Sequence, residues 1–96
     1  MPGYVLGVLN GIKDGAAFDA YEHVAAPTIA QYGGKRVFLS SEVVPADGGW
    51  SPMGIILFEF ESAKQAKKWY NSPEYQAVVN QRLNSTDSAV VLIDGE

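Results

Sequence analysis

Residues 69–75 read Trp-Tyr-Asn-Ser-Pro-Glu-Tyr, and this run decides where two helices meet. Ser72 suits a helix N-cap, because its hydroxyl can accept from the free N–H groups of the next turn. Pro73 suits the first helical position, where its missing N–H costs nothing and its φ is already helical. Glu74 sets a carboxylate against the positive end of the helix dipole. A residue before proline is pushed out of the helical region, so the preceding helix should stop near Asn71. That helix has its own start signal: Ser62-Ala63-Lys64-Gln65 fits a capping box, with Ser62 as cap and Gln65 reaching back. The pattern predicts two short helices joined by a bend, with Trp69 and Tyr70 at the elbow. These rings either fill core space, as large aromatic side chains do, or wall a ligand pocket.

Before this pair lies Gly54–Phe60, Gly-Ile-Ile-Leu-Phe-Glu-Phe, a strand whose Ile56, Phe58 and Phe60 point one way and Ile55, Leu57 and Glu59 the other. Tyr4–Leu9 and Ser88–Ile93 are likewise apolar on both alternating faces, as strands covered on two sides are. Lys35–Val44 alternates less cleanly and reads as an edge strand or one only partly covered. Between the first two strands, Asp14 is the expected N-cap of a helix. Its stripe is Phe18, Tyr21, Ala25, Thr28, Ile29 and Tyr32, kinked or ended within by Pro27 and closed by Gly33-Gly34. Pro45–Gly49 is a loop, followed by Trp50. In the last helix Tyr75, Val78, Val79 and Leu83 are the expected core positions, and Asn84–Asp87 a turn.

The order is therefore β-α-β-β-α-β with the second helix split. This is the ferredoxin-like arrangement of the α+β class, a four-stranded antiparallel sheet with its helices on a single face. Ninety-six residues make a single domain, 1–96, with a modest core. Strands apolar on both faces leave the second sheet face uncovered, and an apolar face of several hundred Å² is usually a contact surface. Two such sheets packed face to face in a homodimer would cover it.

Composition narrows the partners. The net charge of −4 with no basic stripe argues against nucleic acid. No apolar run reaches a membrane span, and the N-terminus lacks the marks of a signal peptide, so a cytoplasmic protein with no membrane partner is expected. With no cysteine and one histidine there is no disulfide frame and no expected metal site. His23 lies about 140° around the helix from Phe18, off the apolar stripe, and is a poor axial ligand for haem; no cofactor is expected.

Tyr32-Gly33-Gly34, Trp50, Glu59-Phe60, the Trp-Tyr-x-Ser-Pro-Glu-Tyr run and Arg82, in that order and spacing, resemble the small family catalogued as domain of unknown function 1330. The likeness spans nearly the whole chain, and residues 69–75 are its most specific part. It implies a dimeric α/β-barrel, a homodimer of ferredoxin-like units, and brings no established activity. The chain departs at Leu39-Ser40-Ser41-Glu42, where the family tends to carry an Arg-Gly-Gly-like run, so no role tied to that arginine carries over.

Three residues are candidates for chemistry. Glu59 interrupts an apolar strand, and a buried carboxylate must be paired or must raise its pKa. Arg82 lies on or beside the buried face of the last helix, where a Glu59–Arg82 ion pair could tie helix to sheet. His23 could serve as a general base if turned toward a pocket, since imidazole as a side-chain type can exchange a proton near working pH. Tyr21, Tyr32, Trp50, Trp69, Tyr70 and Tyr75 are the candidate ligand-lining residues. Two functions fit: a small-molecule enzyme working in a helix–sheet pocket, or a non-catalytic binding or self-associating dimer.

Overall fold

The computed structural model describes residues 1–96. The elements run β1 (Gly3–Ile12), α1 (Gly15–Gln31), β2 (Lys35–Ser40), β3 (Gly54–Phe60), α2 (Ala63–Tyr70), α3 (Pro73–Gln76), α4 (Val79–Ser85) and β4 (Thr86–Asp94). The strands form one antiparallel sheet in the order β2-β3-β1-β4, the ferredoxin-like topology expected from the pattern.

The cap residues act as their chemistry dictates. Asp14 accepts from Ala17 N at 3.1 Å, Ser62 from Gln65 N at 3.0 Å and Ser72 from Tyr75 N at 3.1 Å. The capping box at Ser62 is only half closed, because Gln65 Nε2 donates to the Tyr32 carbonyl at 2.8 Å and so ties α2 to the end of α1. Gly33 takes φ +85°, which lets Gly34 N reach back to the Ile29 carbonyl at 2.9 Å.

Of the two readings of Pro27, an end to the helix is ruled out, since α1 continues through it to Gln31. Three expectations are corrected. Strand β2 ends at Ser40, not Val44. The last helix breaks at Ala77–Val78, where tight turns join Val78 N to Tyr75 O and Gln81 N to Val78 O, each at 3.0 Å. The break shifts the helical phase: Val78, Val79 and Arg82 turn inward while Leu83 is 48% exposed. No turn follows, since α4 passes from Ser85 straight into β4.

The core sits between sheet and helices. Val5 of β1 and Phe60 of β3 meet Ala66, Trp69, Tyr75, Val78 and Val79 from the helical side. Trp69 and Tyr75 pack at a tilt of 40° with ring centroids 4.3 Å apart, and Trp69 Nε1 donates to Thr28 Oγ1 at 2.9 Å. At Gly3 the start of α2 lies so close that a Cβ would collide with the backbone of Ser62 and Ala63. On the opposite sheet face, alternation places Tyr4, Leu6, Ile55, Leu57, Phe38, Val91 and Ile93. Nothing within the chain covers them, and Phe38, Val91 and Ile93 are exposed.

Candidate functional site

The two long helices meet the sheet differently. Helix α2 packs on β1, β3 and β4, whereas α1 makes its main contacts with α4 and α3. Between α1 and the sheet lies a half-open cavity of about 330 Å³. Its floor is the helix-facing row of β1 and β3, including Val5, Gly7, Ile56 and Phe58, and its roof is Phe18, Tyr21, Ala25, Ala26 and Ile29 of α1. A Cβ on Gly7 would stand 2.9 Å from Ile56 Cγ2, so this glycine keeps the floor low.

A few polar groups interrupt the apolar lining: Arg82 and Ser88, Tyr21, Glu22 of α1 and Arg36 of β2. Arg82 is only 6% exposed. Its Nε donates to Tyr75 Oη at 3.3 Å and its Nη1 to Ser88 Oγ at 2.8 Å. Tyr75 Oη is 2.8 Å from Tyr21 Oη, and Ser88 Oγ is 2.7 Å from Thr86 Oγ1. A guanidinium out of water usually takes a carboxylate partner, since burying a charge costs several kcal/mol; here the protein partners are hydroxyls. Nη2 has no protein partner, and no side-chain nitrogen or oxygen in the chain is both sealed from solvent and unpaired. Nη2 therefore keeps some contact with solvent, and Arg82 is among the residues that line the cavity.

Burial first, and the adjoining Tyr75 second, hold the Tyr21 phenol far above its ordinary pKa, so it remains a neutral hydroxyl. Burial, followed by repulsion from Asp19, raises Glu22, with His23 opposing. Outside the cavity, Glu74 accepts from Tyr32 Oη at 2.8 Å and from Gln31 Nε2 at 3.0 Å. Its own backbone N–H, then Tyr32, hold Glu74 below the usual carboxylate range. The bond to Glu74 in turn raises Tyr32.

Of the residues singled out from the sequence, Tyr21, Trp69 and Arg82 line the cavity together. Tyr75 is fully buried behind Tyr21 and Arg82, and Tyr70 packs on Tyr75 at 5.4 Å between centroids. Tyr32 is occupied with Glu74. Trp50 is 58% exposed, with its Nε1 donating to Asn10 Oδ1 at 3.2 Å. His23 is exposed and lies off the cavity wall. Glu59 is exposed on the uncovered sheet face, between Tyr4 and Lys35. The Glu59–Arg82 ion pair does not form, because the two residues lie on opposite sides of the sheet. Ser88, Glu22 and Arg36 were not anticipated; the signal for Ser88 was a hydroxyl residue on the inward row of an otherwise apolar strand. No group of three or more His, Cys, Asp or Glu side chains converges as a metal site, and no helix is long and apolar enough to cross a membrane.

The family model described as Domain of unknown function (DUF1330) matches residues 2–96. No curated protein matches the chain. Among crystal structures, a protein of unknown function from Rhodopseudomonas palustris superposes with a TM-score of 0.81 at 18% identity, covering 99% of this chain and 82% of that one. A dimeric ferredoxin-like protein of unknown function from Jannaschia sp. CCS1 gives 0.73 at 12% identity, covering 99% and 100%. SnoaB, a cofactor-independent oxygenase from Streptomyces nogalater, gives 0.68 at 9% identity, covering 99% and 93%. At such identities the likeness carries the fold and no activity.

Proposed function

The chain belongs to the Domain of unknown function (DUF1330) family, and from that premise we propose that it binds or converts a small organic molecule in the cavity beneath α1. The cavity itself carries this reading. It is concave, largely apolar and of ligand size, with a few polar groups converging on it, which is the usual make-up of a small-molecule site. For conversion, Glu22 offers a wall carboxylate whose pKa burial raises above its ordinary value, and a positioned carboxylate can move a proton.

A thermal-shift screen with small aromatic and branched aliphatic compounds tests the cavity, with Ala26→Trp as the control that plugs it from the exposed side of α1. A compound that stabilises the wild type but not Ala26→Trp supports the reading. A shift retained in Ala26→Trp puts the binding elsewhere. No shift across the screen refutes it.

We also propose a homodimer built on the uncovered sheet face. The surface of 6008 Å² exceeds the roughly 5,400 Å² expected of a compact monomer of this mass. The molecule is a slab of 32 × 32 × 16 Å, whose broad face can supply the roughly 800 Å² per partner of a stable interface. The Jannaschia protein of the same fold is described as dimeric. Light scattering should give a dimer for the wild type and a monomer for Leu57→Lys; a wild-type monomer refutes the assembly.

A further inference from the structure

We propose that the Arg82 end of the cavity is a carboxylate site, so that the molecule it takes is a small monocarboxylate with an apolar body. This rests on the cavity being a ligand site at all. Arg82 is a cation withdrawn from water with only 6% exposure, and its fixed partners are neutral hydroxyls. A guanidinium carries five N–H donors. Tyr75 and Ser88 take a single one each, which leaves both Nη nitrogens with hydrogens to offer. The two Nη nitrogens share the end edge of the plane, an edge that pairs with the two oxygens of a carboxylate.

The surroundings fit an anion that arrives with the ligand. Glu22 is the sole acidic residue on the wall, and the charges that act on it are those of Asp19 and His23, not Arg82. No acid of the chain competes for the guanidinium. Tyr21 supports the same polarity. With Tyr75 accepting from Arg82 Nε and donating to Tyr21, the Tyr21 hydroxyl can turn its own proton into the cavity. Tyrosine and arginine then present donors at one end of a space otherwise walled by Val5, Ile56, Phe58, Val90 and Trp69, while Ser88 accepts from Arg82 and gives its proton to Thr86. A phosphate or sugar would leave that apolar wall unused, and a neutral hydrocarbon would leave the buried cation unpaired.

The test compares acids with their neutral amides of the same shape: benzoate, phenylacetate, 3-phenylpropionate and isovalerate against benzamide, phenylacetamide, 3-phenylpropionamide and isovaleramide. Isothermal titration on the wild type should show at least one acid bound about tenfold or more tighter than its amide. That preference should vanish in Arg82→Gln. Because Arg82→Gln could lose the fold, the Arg82 Nε–Hε resonance of the wild type is followed as well; it should shift with the preferred acid and stay still with the amide. Amides that bind as tightly as acids overturn the carboxylate site and leave the cavity reading standing. A preference kept by a folded Arg82→Gln, or an unmoved Arg82 resonance, also overturns it. If none of the eight compounds binds, the carboxylate site falls together with the cavity reading.

Discussion

Tyr75→Phe is the sharpest probe of the buried polar chain. The ring is fully buried and packs on Trp69 with centroids 4.3 Å apart, and phenylalanine keeps that packing. Only the oxygen goes, and with it the 2.8 Å bond to Tyr21 and the 3.3 Å bond from Arg82 Nε. A neutral hydrogen bond contributes about 1 kcal/mol net and one to a charged group about 1.5–3. Arg82 Nε is then left buried without a partner, so the expected loss is about 2–4 kcal/mol. A chain of this length has a total of about 5–14 kcal/mol, so a large share disappears. With a urea m-value of roughly 1–3 kcal/mol/M, the unfolding midpoint should fall by about 1–3 M at fixed protein concentration. Tyr21→Phe breaks only the shared tyrosine bond and should cost about 1 kcal/mol. The double variant should cost little more than Tyr75→Phe alone, because both remove that bond. A Tyr75→Phe unfolding free energy within about 0.5 kcal/mol of wild type would refute the reasoning, since it would mean that Arg82 does not depend on the phenol.

Ser72→Ala should cost about 1 kcal/mol, read as a lower melting temperature, because the bend would lose the hydroxyl that caps α3. Gly3→Ala should cost about 3 kcal/mol, the upper end for overpacking, since the added Cβ meets the backbone of Ser62 and Ala63, which cannot swing aside; a melting temperature equal to wild type would disprove that close approach. Glu74 has a lowered native pKa, so its contribution is present above the ordinary carboxylate range and fades as pH falls through the native value. Glu74→Gln should therefore melt below wild type near pH 7, with the gap closing as the pH is taken below about 4; a gap constant from pH 7 to pH 3 would contradict the pairing with Tyr32 and Gln31.

The fold was readable wherever a residue has a local job. Asp14, Ser62, Ser72 and Pro73 mark helix starts because capping depends on near neighbours alone. The β3 boundaries, Gly54 to Phe60, follow from a short, nearly all-apolar run set between loop residues and the Ser62 cap. The break at Ala77–Val78 carries no proline or glycine to announce it. It arises because Val78 and Val79 both find room in the core, a tertiary preference that overrides local helix propensity. That same break exchanged Leu83 for Arg82 as the inward residue. The site was legible in part for a related reason. Tyr21 and Trp69 sit on apolar stripes that must face the sheet, but Ser88 and Glu22 gain their meaning from Arg82 and from the space under α1. Trp50 misleads because an aromatic residue beside a loop gives no sign of which way the loop folds.

Helix α1 is fastened at both ends and, between them, by Tyr21 to Tyr75 and by Trp69 to Thr28. At the start, Lys13 N and Asp14 N both donate to the Ser85 carbonyl, at 2.8 and 3.1 Å. At the finish, Gln31 and Tyr32 hold Glu74, and the Tyr32 carbonyl receives Gln65. Another side of the helix roofs the cavity. Positions such as Phe18, Glu22 and Ala26 can therefore change size or charge while the fastenings stay in place. Selection can rework what the cavity accepts without first securing a new scaffold. The architecture separates the part that keeps the chain folded from the part that chooses its guest, and a lineage built this way can diversify its chemistry one wall residue at a time.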